Sequence, residues 1–186
     1  GKDREGTLRK RWSCISKEHM IFIEMYPEDC FIAPGDMRLG GYHVEDFQLT
    51  QLKSYGIEAK KKEIIPNISQ RVILYPEKGF EKKKWHYENF LKLYDSLKER
   101  GIVVYILKSM GLEIDVKGAV FFDELHDIRG FFNDGGIFVS NDSGMAHFAG
   151  MCGLYTITIF SDFDPYVWHP RGKGTFVRCS EGKVDI

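Results

Sequence analysis

The sequence predicts an α/β fold, a Rossmann-like doubly wound parallel sheet that follows a partial N-terminal segment. Three observations support this prediction. Short apolar strands without polar alternation recur from residue 71 to residue 160, which is typical of parallel strands that are buried on both faces. Amphipathic helical patterns alternate with these strands. Turns rich in glycine and polar residues separate the two kinds of element.

The composition fits one substantial domain with part of a second. The chain has 186 residues, of which 43% are hydrophobic, enough for a packed core. A formal net charge of -1 gives no bulk attraction to nucleic acid. No apolar run approaches the roughly 18 residues that span a bilayer. We therefore expect a cytoplasmic protein with no nucleic-acid partner and at most peripheral contact with the inner membrane.

The cysteine and histidine patterns argue against a metal-binding or disulfide-rich protein. There is no Cys-x-x-Cys pair and no His-Glu-x-x-His arrangement, and scattered cysteines fit a reducing compartment. We therefore expect no bound metal and no cofactor. The cysteines are Cys14, Cys30, Cys152 and Cys179.

The N-terminal part of the chain is the less regular part. Residues 19–26 and 29–34 predict short strands, each stopped by a proline. Residues 44–55 then give a helical stripe of apolar side chains, and Gly56 is a natural end for that helix.

A polar, proline-containing joint at residues 60–70 marks a domain boundary near residue 66. The predicted organisation is therefore a short or truncated N-terminal segment, 1–66, and a Rossmann-like domain, 67–186. The regular elements of the second part are strands over 71–76, 102–108, 119–123, 136–140 and 155–160 and helices over 85–101, 124–134 and 143–153.

Ligands of such sheets bind beyond the carboxyl ends of the strands. The loops that follow the predicted strands are therefore the candidate sites, namely 76–84, 108–113, 123–125 and 141–145.

The stretch FVSNDSGMAH, residues 138–147, offers a cradle for an anion. Asp142 or Asn141 can cap the following helix, and Ser143 and Gly144 place main-chain N–H groups at its positive end. Gly144 lacks a side chain, so a phosphate can approach closely. His147 lies one turn into the helix. A capped helix with a core histidine explains the same residues, and the local pattern does not decide between the two.

Other loops carry weaker signals. Three lysines precede Trp85 and suit a diphosphate, although a solvated lysine cluster explains them equally well. Glu113 can accept from ribose hydroxyls, although an exposed surface glutamate is the simpler interpretation. The stretch SDFDP, 161–165, has the spacing of an Asp-x-Asp metal motif, but its proline favours a turn that Asp164 caps. The ring of Trp168 can stack on a ligand, but packing against other protein side chains is the better interpretation.

Taken in order, these segments resemble glycosyltransferase family 9, the heptosyltransferases of lipopolysaccharide core synthesis. The strongest match is FVSNDSGMAHFAGMCGLYTITIFSDFDP, where the family has a strand, Asn-Asp-(Ser/Thr)-Gly-x-x-His and a helix. The segment VILYPEKGFEKKKWHYENFLKLYDSLKERG resembles the family's strand, Lys-x-Trp loop and helix, with the lysine at Lys83. A weaker match is GYHVEDFQLTQLKSYGI, which is similar to the end of the family's N-terminal domain.

The resemblance implies the C-terminal, donor-binding half of a GT-B fold. It places the nucleoside near Glu113 for the ribose and near the main chain from Asp123 to Leu125 for the base. It implies metal-independent, inverting transfer from a nucleotide-diphospho-sugar, ADP-heptose in the family, to a glycolipid acceptor of the lipopolysaccharide core. The residues that it places at the donor diphosphate are Lys83, Asp142, Ser143, Gly144 and His147.

The chain also departs from the family pattern. The loop after the first core strand has Glu77 and Phe80 where the family is hydroxyl-rich, and Ser161 and Phe163 replace the family's Gly and Thr. No residue matches the family's general base, so the catalytic residues are unidentified. The segment before residue 67 is short for a Rossmann domain. We therefore expect a fragment or a reduced relative that is inactive in isolation.

Three alternatives to the transferase remain open at this point. A non-catalytic nucleotide or phospho-sugar binding domain would keep the anion cradle and lack the acceptor half. Another GT-B-like enzyme, such as a sugar-nucleotide epimerase, would share the fold. A purely structural module is the third alternative.

Overall fold

A computed structural model of the chain describes residues 10, 21, 23, 43–76, 84–113 and 115–184. The chain divides into two compact units, Gly1–Lys62 and Glu63–Ile186. The strands predicted over 19–26 and 29–34 lie outside the described residues, except for two single positions, and they stay predictions. No helix in the described ranges is long and apolar enough to cross a membrane.

In the first unit, the described part is a helix and the segment after it. The helix α1, Val44–Ser54, is preceded by His43, whose ring Nδ1 accepts from the main-chain N–H of Glu45 at 3.3 Å. Lys61 forms an ion pair with Asp46 at 2.5 Å. Gly56 has the left-handed conformation, with φ 77°, and ends the helix as the sequence predicts.

The described residues of the second unit form a seven-stranded sheet and four helices. The strands are β1 Val72–Tyr75, β2 Val104–Leu107, β3 Ala119–Val120, β4 Ile137–Asn141, β5 Tyr155–Phe160, β6 Gly174–Ser180 and β7 Lys183–Val184. The helices are α2 Tyr87–Glu99, α3 Leu125–Phe132, α4 Gly144–Met151 and α5 Pro165–Trp168.

The strand order is β3-β2-β1-β4-β5-β6-β7. The first six strands are parallel, and β7 pairs antiparallel with β6. This arrangement confirms the predicted Rossmann-like α/β class and adds an antiparallel strand at one edge.

Both faces of the sheet are covered, because alternate residues of each strand are buried on opposite sides. On one face, Phe90 and Tyr94 of α2 pack with residues of β1, β2, β4 and β5. On the other face, Ile128 and Phe132 of α3 pack with Phe138 of β4 and with small residues of α4. The apolar core therefore consists of two clusters, one on each side of the sheet, as strands that are buried on both faces predict.

Small residues let α4 lie close to its neighbours. Ala146 and Ala149 are fully buried. A Cβ atom at Gly150 would lie 2.2 Å from the main-chain oxygen of Arg171, so only glycine fits there. The middle and end of α4 are thus fixed by close packing of main-chain atoms.

The strand order creates a switch point between β1 and β4. From β1 the chain builds outward through β2 to β3, and then it returns to the other side of β1 to build β4 and β5. The helices that follow β1 and β4, α2 and α4, therefore pack on opposite faces of the sheet. A crevice at the carboxyl ends of β1 and β4 follows from this topology and is the usual ligand position in open α/β sheets.

Two details of the sheet differ from the prediction. The strand β3 is two residues long, because β2 ends at Leu107 and offers no partner beyond Val120. The strand β6 was missed altogether: most of its residues are exposed or half-buried, so it lacks the continuous apolar run that identified the other strands.

Arg71 joins the start of β1 to the end of α3. Its Nε donates to the main-chain oxygen of Gly135 at 2.5 Å, and its terminal guanidinium N–H donates to the oxygen of Phe131. The guanidinium also lies 4.6 Å from the centre of the Phe131 ring. Burial lowers the pKa of Arg71, and the carboxylate of Asp134 opposes that shift. The arginine nonetheless stays charged, since guanidinium groups in proteins do not lose their proton.

We expect Arg71→Met to lower the free energy of unfolding by about 2–3 kcal/mol, because it leaves main-chain oxygens of Phe131 and Gly135 without their charged donor. Urea unfolding followed by circular dichroism measures the change. Arg178→Met is the matched control: Arg178 is exposed and pairs with Asp164 at 3.8 Å, so its loss should cost less than about 1 kcal/mol. Equal effects of the two substitutions would contradict the proposed role of Arg71.

Candidate functional site

The candidate site begins at the turn from β4 to α4, at the carboxyl edge of the sheet. Asn141 is the last residue of β4 and pairs with Ile159 of β5. The main-chain N–H of Asp142 donates to the oxygen of Ile159 at 2.9 Å. Ser143 is extended, with φ -160° and ψ 159°, and α4 starts at Gly144. The turn is therefore two residues long and sits directly beside the end of β5.

Ser143 is the N-cap of α4. Its Oγ accepts from the main-chain N–H of Ala146 at 3.2 Å. The prediction that Asn141 or Asp142 caps this helix is wrong. Asn141 is still part of β4, and the main-chain N–H of Asp142 is hydrogen-bonded to β5. Ser143 is therefore the first residue at which the chain can turn away from the sheet.

Gly144 leaves open space in front of the first turn of α4. Gly144 is exposed, and a Cβ atom built on it would have no heavy atom within 4 Å other than those of its chain neighbours and the backbone of its own helix. The N–H groups of the first residues of a helix have no partner within the helix. The end of α4 therefore presents main-chain donors to a space that the described residues leave open.

The helix dipole contributes positive charge at this end of α4. The helix macrodipole places about half a positive charge at an N-terminus. The first turn of α4 carries no acidic side chain, so the helix itself does not neutralise that charge. The carboxylate of Asp142, half-buried just before the cap, is the nearest acidic group along the sequence. Main-chain donors and a positive dipole together favour an anion at this position.

Asn141 connects this turn to the beginning of α2. Its side-chain oxygen accepts from the main-chain N–H of Trp85 at 3.2 Å, and its side-chain nitrogen donates to the main-chain oxygen of Trp85 at 3.1 Å. Asn141 is 3% exposed. The indole ring of Trp85 packs edge-on against Phe90, with centroids 4.5 Å apart. The link thus holds the end of the β1–α2 loop against the end of β4.

The predicted diphosphate ligand Lys83 lies outside the described residues, and so does most of its loop. The described residues next to it are Lys84, which is half-buried, and Trp85. Since Trp85 is bonded to Asn141, the described end of the loop comes to the residue that precedes Asp142. The role of Lys83 stays a prediction.

His147 lies one turn into α4 and is half-buried. Its main-chain N–H donates to the oxygen of Ser143 at 3.4 Å, within the cap. The structure thus brings Asp142, Ser143, Gly144 and His147 together at one end of α4, but a ligand role for them stays a prediction.

Glu113 is exposed in the loop that follows β2. The side chain of Leu112 is buried and anchors this loop. The main-chain N–H of Leu112 also donates to the main-chain oxygen of Ser109 at 3.1 Å. Gly111 has φ 74°, a conformation that favours glycine and reverses the chain before Leu112. Glu113 therefore extends into solvent from a loop that is fixed at its base.

Asp123 and Leu125 follow β3 and are both exposed. Leu125 is the first residue of α3. Large apolar side chains are exposed in the same region: Met110 is 84% exposed and Phe121 is 44% exposed. Neither residue stands out in the sequence, because an exposed apolar residue in a loop gives the same pattern as a packed one.

The loop after β5 is a capped turn. Asp164 accepts from the main-chain N–H of Tyr166 at 3.1 Å, which confirms the predicted local cap. Pro165 is the first residue of α5. Within the described parts of the chain, no three His, Cys, Asp or Glu side chains form a group that could hold a metal ion.

The sheet order spaces these loops along one edge. Neighbouring strands lie about 4.8 Å apart. The end of β2, which precedes the loop that carries Glu113, is thus about 10 Å from the end of β4, and the end of β3, which precedes Asp123, is about 15 Å away. An extended ligand could therefore contact all three loops at once.

No protein-family model matches the chain, and no curated protein sequence matches it. Among solved structures, the chain is similar to the E. coli heptosyltransferase WaaC with ADP, with 18% sequence identity and a TM-score of 0.56. The match covers 77% of this chain and 52% of that chain, so this chain spans about half of the length of that structure. The likeness shows a glycosyltransferase-like α/β fold.

We expect Asn141→Asp to lower the free energy of unfolding by about 2–3 kcal/mol, because a carboxylate loses the donor to the oxygen of Trp85 and is buried without a counter-charge. Thermal or urea unfolding measures the loss. Asn89→Asp is the control: it makes the same chemical change on a half-buried side chain in the first turn of α2, where a negative charge is tolerated. A loss no larger than that of the control would show that the link to Trp85 adds nothing to stability.

Proposed function

We propose that residues 67–186 form the donor-binding domain of a glycosyltransferase and bind a nucleotide-diphospho-sugar at the carboxyl edge of the sheet. The observation that carries this proposal is the exposed N-terminus of α4, with open space at Gly144, next to the switch point between β1 and β4. A structural neighbour with the same fold is described with ADP. Both support a nucleoside diphosphate as the ligand.

The diphosphate would lie at Ser143 and Gly144, where main-chain N–H groups and the helix dipole stabilise negative charge. Asp142 has the same charge sign as the ligand, so a counter-charge is needed, and Lys83 is the residue that we assign to it. His147 would lie next to the diphosphate, one turn into the helix. Nothing in this arrangement requires a divalent ion.

The nucleoside would extend from this point toward β2 and β3. Glu113 offers a carboxylate to the ribose hydroxyls, and the main chain from Asp123 to Leu125 offers polar groups to the base. The exposed side chains of Met110 and Phe121 lie at the same strand ends and supply apolar surface for the base. The spacing of about 10–15 Å between these loops and α4 suits an extended ligand.

The chemistry that follows is a metal-independent, inverting sugar transfer. Positive charge from α4 and Lys83 would stabilise the nucleoside diphosphate as it leaves, which lowers the barrier to breaking the bond to the sugar. We propose ADP-heptose as the donor and a glycolipid of the lipopolysaccharide core as the acceptor, with peripheral contact at the inner membrane. These finer assignments rest on the resemblance of the motifs at 72–101 and 138–165 to glycosyltransferase family 9.

A second candidate function is nucleotide-sugar binding without transfer. It is favoured by the departures of this chain from the family pattern at Glu77, Phe80, Ser161 and Phe163, which leave the end of α4 intact and change the loops on either side of it. The two candidates share the donor site and differ in whether the bound sugar is transferred.

We expect one nucleoside diphosphate among ADP, UDP and GDP to bind this chain in calorimetric titrations without Mg²⁺. Gly144→Val should raise its Kd at least about tenfold, because the side chain occupies the space where the phosphate lies. Gly130→Val is the matched control, since Gly130 is also an exposed helical glycine with no atom near its Cβ position. Lys83→Ala should weaken binding as well, whereas Lys92→Ala, an exposed lysine of α2, should leave the Kd unchanged.

Addition of EDTA should leave the Kd of wild-type protein unchanged. Binding that requires Mg²⁺, or that is indifferent to both Gly144→Val and Lys83→Ala, would rule out the proposed site. Circular dichroism spectra of the variants exclude unfolding as the cause of lost binding.

We expect the isolated 186-residue chain to bind the donor and to leave its sugar untransferred, since no general base has been identified in it. The measurement is release of the nucleoside diphosphate from ADP-heptose in the presence of a lipopolysaccharide-core acceptor. A longer parent protein that includes an acceptor-binding domain should show transfer under the same conditions. Sustained turnover by the isolated chain would contradict this expectation.

A further inference from the structure

We propose that Phe163 is the platform on which the sugar ring of the donor stacks, and that it makes this site prefer a sugar-bearing nucleotide to the free nucleoside diphosphate. This inference rests on the proposed function and adds to it a residue that determines specificity. It starts from an aromatic side chain that is more than half exposed at the carboxyl edge of the sheet.

Phe163 is a large apolar residue that is 55% exposed, in the loop between β5 and α5. Its ring contacts the half-buried ring of Trp168, with centroids 5.9 Å apart and planes inclined by 56°. Trp168 thus supports Phe163, while more than half of the Phe163 surface stays in contact with solvent. Exposing this much aromatic surface is unfavourable in the unbound protein and is offset when a ligand covers it.

The backbone on either side of Phe163 is fixed. Asp164 caps α5 through its bond to the N–H of Tyr166, and Pro165 occupies the first position of that helix, where its restricted φ suits a helical start. On the other side, Phe160 is the fully buried last residue of β5. The loop that carries Phe163 therefore has three residues between a buried strand end and a capped turn. Because the loop is fixed at both ends, it loses little conformational entropy when it binds a ligand.

The position of this loop agrees with the order of groups in a nucleotide-sugar. The strand β5 lies next to β4, on the side away from β2 and β3. The bond from the N–H of Asp142 to the oxygen of Ile159 places the end of β5 against the turn before α4. If the base lies at β3, the ribose at β2 and the diphosphate between β1 and β4, the next group of an extended ligand meets the loop after β5.

The chemistry of the loop suits a sugar. A pyranose ring has apolar C–H surfaces that cover an aromatic face, and hydroxyl groups around its rim that donate to carboxylates. Phe163 supplies the aromatic surface. The carboxylate of Asp162, 3.4 Å from the hydroxyl of Ser161, is in the same loop and supplies an acceptor. Neither the ring of Phe163 nor the carboxylate of Asp162 would strengthen the binding of the diphosphate alone.

The test compares the Kd of a nucleoside diphosphate with that of its sugar conjugate, using ADP with ADP-heptose, UDP with UDP-glucose, and GDP with GDP-mannose. For the pair that wild-type protein binds most tightly, Phe163→Ala should raise the Kd of the sugar conjugate about fivefold to tenfold and leave the Kd of the free diphosphate within about twofold. Phe163→Tyr, which keeps the ring, should restore tight binding. Phe163→Leu, which is apolar but has no ring, should not.

Tyr166→Ala is the matched control. Tyr166 is a comparably exposed aromatic residue, 61% exposed, but its ring packs on Phe176 of β6, one strand farther from α4. Its loss should leave both Kd values unchanged. Equal weakening of both ligands by Phe163→Ala, or no weakening of either, would overturn the role of Phe163 while the proposed donor site stands. Absence of binding of all six ligands to wild-type protein would overturn the donor site itself.

Discussion

The paired hydrogen bonds between the Asn141 side chain and the main chain of Trp85 hold the carboxyl edge of the sheet together. At a switch point the loops after neighbouring strands diverge, and nothing in a parallel ladder keeps them near each other. An amide side chain has one acceptor and one donor group, which match the N–H and the oxygen of Trp85. Because Asn141 is buried, water does not compete for either bond. The end of β4, the start of α2 and the start of α4 therefore behave as one rigid unit.

That rigidity matters because the candidate site uses main-chain groups more than side chains. An anion at the end of α4 is stabilised by N–H groups and by the dipole, and both depend on where the helix begins. The beginning is fixed by Ser143, which can cap the helix only because Asn141 and Asp142 are held by α2 and β5. The aromatic pair of Phe163 and Trp168 is fixed in a similar way, by a buried strand end on one side and the Asp164 cap on the other.

The fold class could be predicted from the sequence because burial on both faces leaves a continuous apolar pattern in strands such as β1 and β4. Where a strand is partly exposed, as in β6, that pattern is absent and the strand was missed. The turn before α4 was located correctly, but its cap was assigned to the wrong residue. Asn141 and Asp142 have the right chemistry for a cap, and only the fold shows that the Asn141 side chain is bonded to Trp85 and that the main chain at Asp142 still follows β5. Positions such as Glu113 depend on loop conformation, for which the sequence carries no periodic signal.

Two glycines of α4 differ in how the protein tolerates their replacement. Gly150 is in contact with the main chain at Arg171, so any larger residue must displace the backbone, whereas Gly144 faces open space. A single nucleotide change converts a glycine codon to one for alanine or valine. In a duplicated gene, a change to valine at residue 144 would fill the proposed anion site and leave a folded protein, while the same change at residue 150 would be removed by selection for folding. If the proposed site is correct, descendants of this fold lose its ligand in one mutational step, and the residue at position 144 marks that event in a lineage better than overall sequence similarity.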